Sequence, residues 1–61
     1  MYEKFNVLLE RFDITAYRVA KETGISTSTL SDWKNGRSTP KLDKLQKIAN
    51  YFEVPITYFL N

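Results

Sequence analysis

The sequence predicts an all-α fold of five short helices, and three observations carry that expectation. Large apolar residues recur at helical spacing from Tyr2 to Phe12 and again from Leu42 to Phe52. The same N-cap arrangement occurs twice, as Ile14-Thr15 with Val19 and as Ile25-Ser26 with Leu30, and each copy opens a helix of about two turns. Gly24, Asn35-Gly36, Pro40 and Pro55 punctuate the segments between.

Taken in order, Phe5, Leu8, Leu9 and Phe12 fall at i, i+3, i+4 and i+7 and make one apolar stripe on a helix from Tyr2 to Phe12. Glu3, Lys4, Glu10 and Arg11 occupy its other side, so this is a scaffold helix. Asp13-Ile14-Thr15 breaks the pattern. Thr15 caps a second helix over 16–23, with Val19, Ala20 and Thr23 inward and Ala20 small enough for a neighbouring helix to approach. Gly24 ends it with a positive φ that only glycine takes without penalty. Ser26 caps a third helix over 27–34, which Asn35-Gly36 ends with left-handed residues. A polar, basic loop follows from Arg37 to Lys41. Thr39 is the expected cap of a fourth helix with Pro40 in its first turn, and Leu42, Leu45, Ile48, Ala49 and Phe52 face inward. Glu53-Val54-Pro55 breaks this helix. A last short helix over 56–60 returns Phe59 to the core and leaves Tyr58 and Leu60 partly exposed.

Sixty-one residues make one domain, 1–61, which buries only about 60% of its unfolded surface and leaves no room for a deep catalytic cleft. The sequence has no cysteine and no histidine. That excludes thiolate and imidazole metal sites, a cysteine nucleophile and the usual general base. Neither an enzyme nor a cofactor is expected. The N-terminus lacks the apolar run of a signal peptide, and no stretch approaches the roughly 18 apolar residues of a membrane span. A soluble intracellular protein with no membrane partner fits these absences.

The net charge is +2, but it is unevenly placed. Residues 1–33 carry four basic and five acidic side chains. Residues 34–47 carry Lys34, Arg37, Lys41, Lys44 and Lys47 against Asp43 alone, a net +4. Positive charge is therefore concentrated just after the third helix. A polyanion partner leaves such a footprint, although a solvated lysine-rich helix face has the same composition.

The third helix has an unusual inventory. Only Leu30 and Trp33 are large and apolar, three residues apart on one face, while Thr27, Ser28, Ser31 and Asp32 occupy the other. A helix this short and polar is marginal alone. Two readings stay open on this window: short polar side chains presented to base edges in a major groove, or a solvated surface helix. Trp33 shares the face of Leu30, which favours an anchor between the third and fourth helices over stacking on a base. The second and third helices are joined by Gly24 to Ser26, and Ala20, Gly24, Leu30 and Trp33 are spaced 4, 6 and 3 residues apart. These are the small residue at the crossing, the glycine at the turn and the two anchors that a helix-turn-helix over about 16–35 requires.

The segments Thr15 to Ser26, Thr29 to Gly36, Pro40 to Ala49 and Phe52 to Val54 together resemble the Cro/C1-type helix-turn-helix family, the DNA-binding domains of phage repressors and many bacterial regulators. The resemblance covers essentially residues 4–60. It implies a compact five-helix, lambda-repressor-like domain whose third helix, about 27–34, reads the major groove of double-stranded DNA. Carried over by position, Thr27, Ser28 and Asp32 lie where family members touch base edges. Asn35, Arg37 and Lys41 match the family's phosphate-gripping loop. Ala16 stands where the family often has a glutamine that braces a phosphate, which leaves only its backbone N–H for that contact. Pro55 stands where the family often has a capping serine.

Phosphate contacts supply affinity and register, and base contacts supply preference. The first task falls to Thr15, Ala16, Tyr17, Arg18, Ser26, Lys34, Asn35, Arg37, Ser38, Thr39 and Lys41. The second falls to Thr27, Ser28, Asp32 and Ser31. Asp32 suits a cytosine amino group, or else a surface ion pair. One domain covers one half-site, and regulators of this kind pair on half-sites about one helical turn apart. The candidate contact is the C-terminal segment Tyr58 to Asn61, giving a weak homodimer strengthened on DNA. The expectation is a phage- or mobile-element-type repressor acting in a bacterial cytoplasm or nucleoid. The other reading is a protein-interaction module on the same fold, with an antitoxin- or anti-repressor-like role. Such a module would show exposed Leu or Phe on the third helix.

Overall fold

A computed structural model describes residues 1–60 and contains five helices: α1 (Tyr2–Arg11), α2 (Ala16–Thr23), α3 (Thr27–Lys34), α4 (Leu42–Phe52) and α5 (Thr57–Leu60). α2 packs on α3 and α4, and α1 packs on α5. The enclosed core takes Phe5, Leu8 and Leu9 from α1, Val19 and Ala20 from α2, and Ile25 from the turn. Leu30 and Trp33 of α3, Leu45, Ile48, Ala49 and Phe52 of α4, and Phe59 of α5 complete it. No polar or charged residue is buried among those described, so the core itself is held by apolar burial.

Local chemistry sets the ends of the two central helices. Thr15 accepts from the Arg18 N–H at 3.2 Å and Ser26 from the Thr29 N–H at 3.2 Å. Each satisfies one of the donors that a helix start leaves without an intrahelical acceptor. Four helix ends then use the same device, a residue in the left-handed region: Asp13 (φ 52°), Gly24 (φ 79°), Gly36 (φ 73°) and Glu53 (φ 58°). After α1, α3 and α4 the chain closes back over five residues. Ile14 N–H donates to the Leu9 carbonyl at 2.9 Å, Arg37 N–H to that of Asp32 at 2.8 Å, and Val54 N–H to that of Ala49 at 3.0 Å. Asn35, expected to be left-handed, has φ −90°, so Gly36 alone makes the turn after α3.

Several placements differ from expectation. α4 begins at Leu42, not at Pro40: Lys41 occupies the cap position in an extended conformation (ψ 164°) with no side-chain hydrogen bond. Pro40 lies before the helix with its ring buried. Leu42 is 61% exposed. It occupies the first position of α4, ahead of the turn that carries the buried Leu45. Phe12 lies just past the end of α1 and is 55% exposed, with its ring 5.3 Å from that of Phe52. α5 starts at Thr57, leaving Ile56 half-buried in front of it. The aromatic partners of Trp33 come from α1 and α5 instead of α4: Tyr2 at 5.4 Å, Phe5 at 5.3 Å and Phe59 at 6.0 Å between centroids.

Candidate nucleic-acid interface

α3 is polar on its outer side because only two of its eight residues are needed to hold it. Leu30 and Trp33 are buried, 3% and 4% exposed, while Thr27, Ser28 and Ser31 are exposed and Asp32 is half-exposed. A depression of about 460 Å³ lies against α3, lined by Thr27, Leu30, Ser31 and Lys34 of that helix together with Tyr2, Ala16 and Tyr17. It brings residues expected to grip phosphates beside residues expected to read bases. Tyr2 belongs to this depression although its helix reads from sequence as scaffold only. The N–H groups of Ala16 and Tyr17 open α2 and have no intrahelical acceptor. Ala16 is half-buried against the core, and the Tyr17 side chain is 66% exposed.

The loop after α3 turns back onto that helix. Asn35 Nδ2 donates to the Ser31 carbonyl at 2.9 Å and to its Oγ at 3.4 Å. Arg37 Nη1 donates to Asp32 Oδ1 at 3.3 Å. The Ser38 N–H lies 3.5 Å from the Asp32 carbonyl oxygen. Lys34, Thr39 and Lys41 are exposed around this loop, and Lys44 is half-exposed on α4. The excess positive charge of residues 34–47 thus runs from the last residue of α3 through this loop into α4.

Three expected positions are engaged elsewhere, the Thr15 hydroxyl among them as the cap of α2. The Ser26 hydroxyl, besides capping α3, shares a hydrogen bond with the Thr29 hydroxyl at 2.8 Å. Arg18 Nε is bonded to Glu22 on its own helix. This guanidinium holds the Glu22 carboxyl below the usual carboxylate range, and Glu22 in turn raises the affinity of Arg18 for its proton. Ser28 stands outside the depression, exposed on its own.

A family model for the helix-turn-helix matches residues 8–59. The chain belongs to the Cro/C1-type helix-turn-helix family. Family membership makes it an all-α DNA-binding regulatory domain, and α2 and α3, joined by Gly24 to Ser26, lie within the matched span. No curated protein and no solved structure matches the chain significantly. Among the described residues, no helix is long and apolar enough to cross a membrane.

Proposed function

We propose that this helix-turn-helix chain is a sequence-specific transcriptional repressor of phage or mobile-element type, which lays Thr27–Lys34 in the major groove of its operator. One observation carries the reading: Leu30 and Trp33 fix α3 from beneath, while Thr27, Ser28 and Ser31 are exposed on its outer side. Their hydroxyls reach base edges, with Asp32 accepting from a cytosine amino group. The phosphates on one side meet Thr15, Tyr17 and the backbone N–H groups at the start of α2. On the other side they meet Lys34, Asn35, Arg37, Ser38, Thr39 and Lys41. Arg18 and Ser26 approach phosphates with part of their hydrogen-bonding capacity already used. Repression follows from occupancy of a promoter in the bacterial cytoplasm.

The chain binds two half-sites as a weak homodimer formed through its C-terminal segment. Leu60 is 50% exposed there, while Phe59 is buried and Tyr58 is tied to the Lys4 carbonyl at 3.1 Å. Asn61, the last residue of that segment, lies outside the described residues.

Selection from random duplex DNA at two salt concentrations tests both statements. The expected outcome is an enriched motif with half-sites about one helical turn, roughly 10 base pairs, apart. Lys34→Ala should lower the slope of log K against log salt by about 0.9. Recovery of no motif, with binding indifferent to salt, would overturn the reading. A tight dimer in sedimentation without DNA would overturn the pairing.

A further inference from the structure

Asp32 is held twice by one residue. The Arg37 backbone N–H donates to the Asp32 carbonyl at 2.8 Å, and the Arg37 guanidinium donates to Asp32 Oδ1 at 3.3 Å. Gly36, at φ 73°, makes this possible by turning the chain back over the end of α3. Neither side chain is used up. A guanidinium has five N–H donors and a carboxylate has two oxygens. The Arg37 and Asp32 side chains remain 68% and 41% exposed. Asn35 stands in the same relation to Ser31, four residues before it, donating to its carbonyl and its hydroxyl. Both polar residues on the second half of the outer side of α3 are therefore held from the loop that follows.

A carboxylate facing a DNA groove is repelled by phosphates unless a cation stands beside it. A free aspartate also rotates about χ1 and χ2 and presents no fixed acceptor. Arg37 answers both difficulties. We infer that Arg37 is a positioning residue for Asp32: its guanidinium bridges a backbone phosphate and Asp32 Oδ1, and so aims Oδ2 at the exocyclic amino group of one base, a cytosine N4. The inference rests on the reading of α3 as the base-reading helix. On this account Arg37 sets sequence preference through Asp32 as well as contributing charge. Lysine cannot replace it, because an ammonium lacks the planar fork that meets a phosphate and a carboxylate together.

The test measures binding of the selected duplex, and of duplexes altered one base pair at a time, at three salt concentrations. The proteins are the wild type, Asp32→Ala, Arg37→Lys, Arg37→Ala and the Asp32→Ala/Arg37→Lys double variant, each checked for folding by thermal melting. Wild type should discriminate by roughly tenfold at one base pair. Asp32→Ala and Arg37→Lys should each reduce that figure to about twofold or less at that same base pair and at no other. The double variant should lose no more than either single one. Arg37→Lys should keep the salt slope, and Arg37→Ala should lower it by about one. The positioning role is overturned if Arg37→Lys discriminates as the wild type does. It is equally overturned if Arg37→Ala weakens every duplex by the same factor. If the wild type itself prefers no duplex, the DNA reading fails before any variant is compared, and the inference falls with it.

Discussion

The Tyr51 hydroxyl on α4 donates to Glu22 Oε1 on α2 at 3.1 Å, joining residues 29 apart in the chain. The other oxygen of that carboxylate takes Arg18 Nε. One acid thus fastens its own helix and the neighbour against which that helix packs.

This arrangement predicts a pH dependence. The Arg18 guanidinium holds Glu22 below its ordinary value of 4.5; desolvation opposes it, and the Tyr51 hydroxyl adds to the lowering. A depressed carboxyl contributes stability that is present above its unfolded value and lost as pH falls through its folded one. The melting temperature should therefore decline below about pH 4.5, and less steeply in Glu22→Gln. The Tyr51 phenol is shifted the other way, raised from 10.0 by burial and by the adjacent carboxylate. Its contribution should be lost as pH climbs above that value, and Tyr51→Phe should remove this alkaline loss. Circular-dichroism melts across pH 2–11 check both limbs, and matching profiles for wild type and variants would refute the account.

Truncating the anchors of α3 should threaten the fold. Leu30→Ala should cost about 2–5 kcal/mol and Trp33→Ala about 3–5 kcal/mol. A domain of this length has only about 3–9 kcal/mol to lose. Urea unfolding of the Leu30 variant, followed by the fluorescence of Trp33, the one tryptophan in the sequence, measures the first directly. A loss under about 1 kcal/mol would mean that α3 is held otherwise.

The left-handed positions predict opposite signs for opposite substitutions. A Cβ added at Gly24 would meet no atom within 4 Å, so Gly24→Ala is penalised only for its backbone conformation, by about 1–2 kcal/mol. Glu53 already bears that strain at φ 58° and is exposed. Glu53→Gly should raise stability by about 0.5–1 kcal/mol. Urea midpoints moving in the same direction for the two variants would contradict this.

Removing the cap hydroxyls should loosen the two central helices separately. Thr15→Ala should cost about 1 kcal/mol at the start of α2, and Ser26→Ala a similar amount at the start of α3. Amide exchange should quicken in the first turn of the altered helix only. Quickening spread evenly over the molecule would point to global destabilisation.

What the sequence revealed, and what it did not, divides by range. The bounds of α2 and α3 were legible because Thr15, Gly24, Ser26 and Gly36 act on their own neighbours. The outward turn of Thr27, Ser28 and Ser31 follows from helical period alone, once Leu30 and Trp33 are taken as the inner side. The start of α4 was not legible, because Lys41 caps it without a side-chain bond and Pro40 is spent on packing. Glu53 gave no sign of a left-handed turn, since glutamate has no preference for one. At the candidate interface, the hold of Arg37 on Asp32 depends on how far the chain folds back after Gly36. The bond from Tyr51 to Glu22 depends on how α4 packs across α2. Neither relation has a spacing that marks it in advance.

The indole of Trp33 sits among rings supplied by Tyr2, Phe5 and Phe59, at the opposite extremes of the chain. The tilt of α3 is consequently set partly by the first and last helices of the fold. An exchange of one ring size for another at Phe5 or Phe59 would re-aim the outer hydroxyls without touching them. On the proposed reading, selectivity can therefore drift from behind, through core positions on other helices. A library that randomises only the outward side of α3 would miss that route.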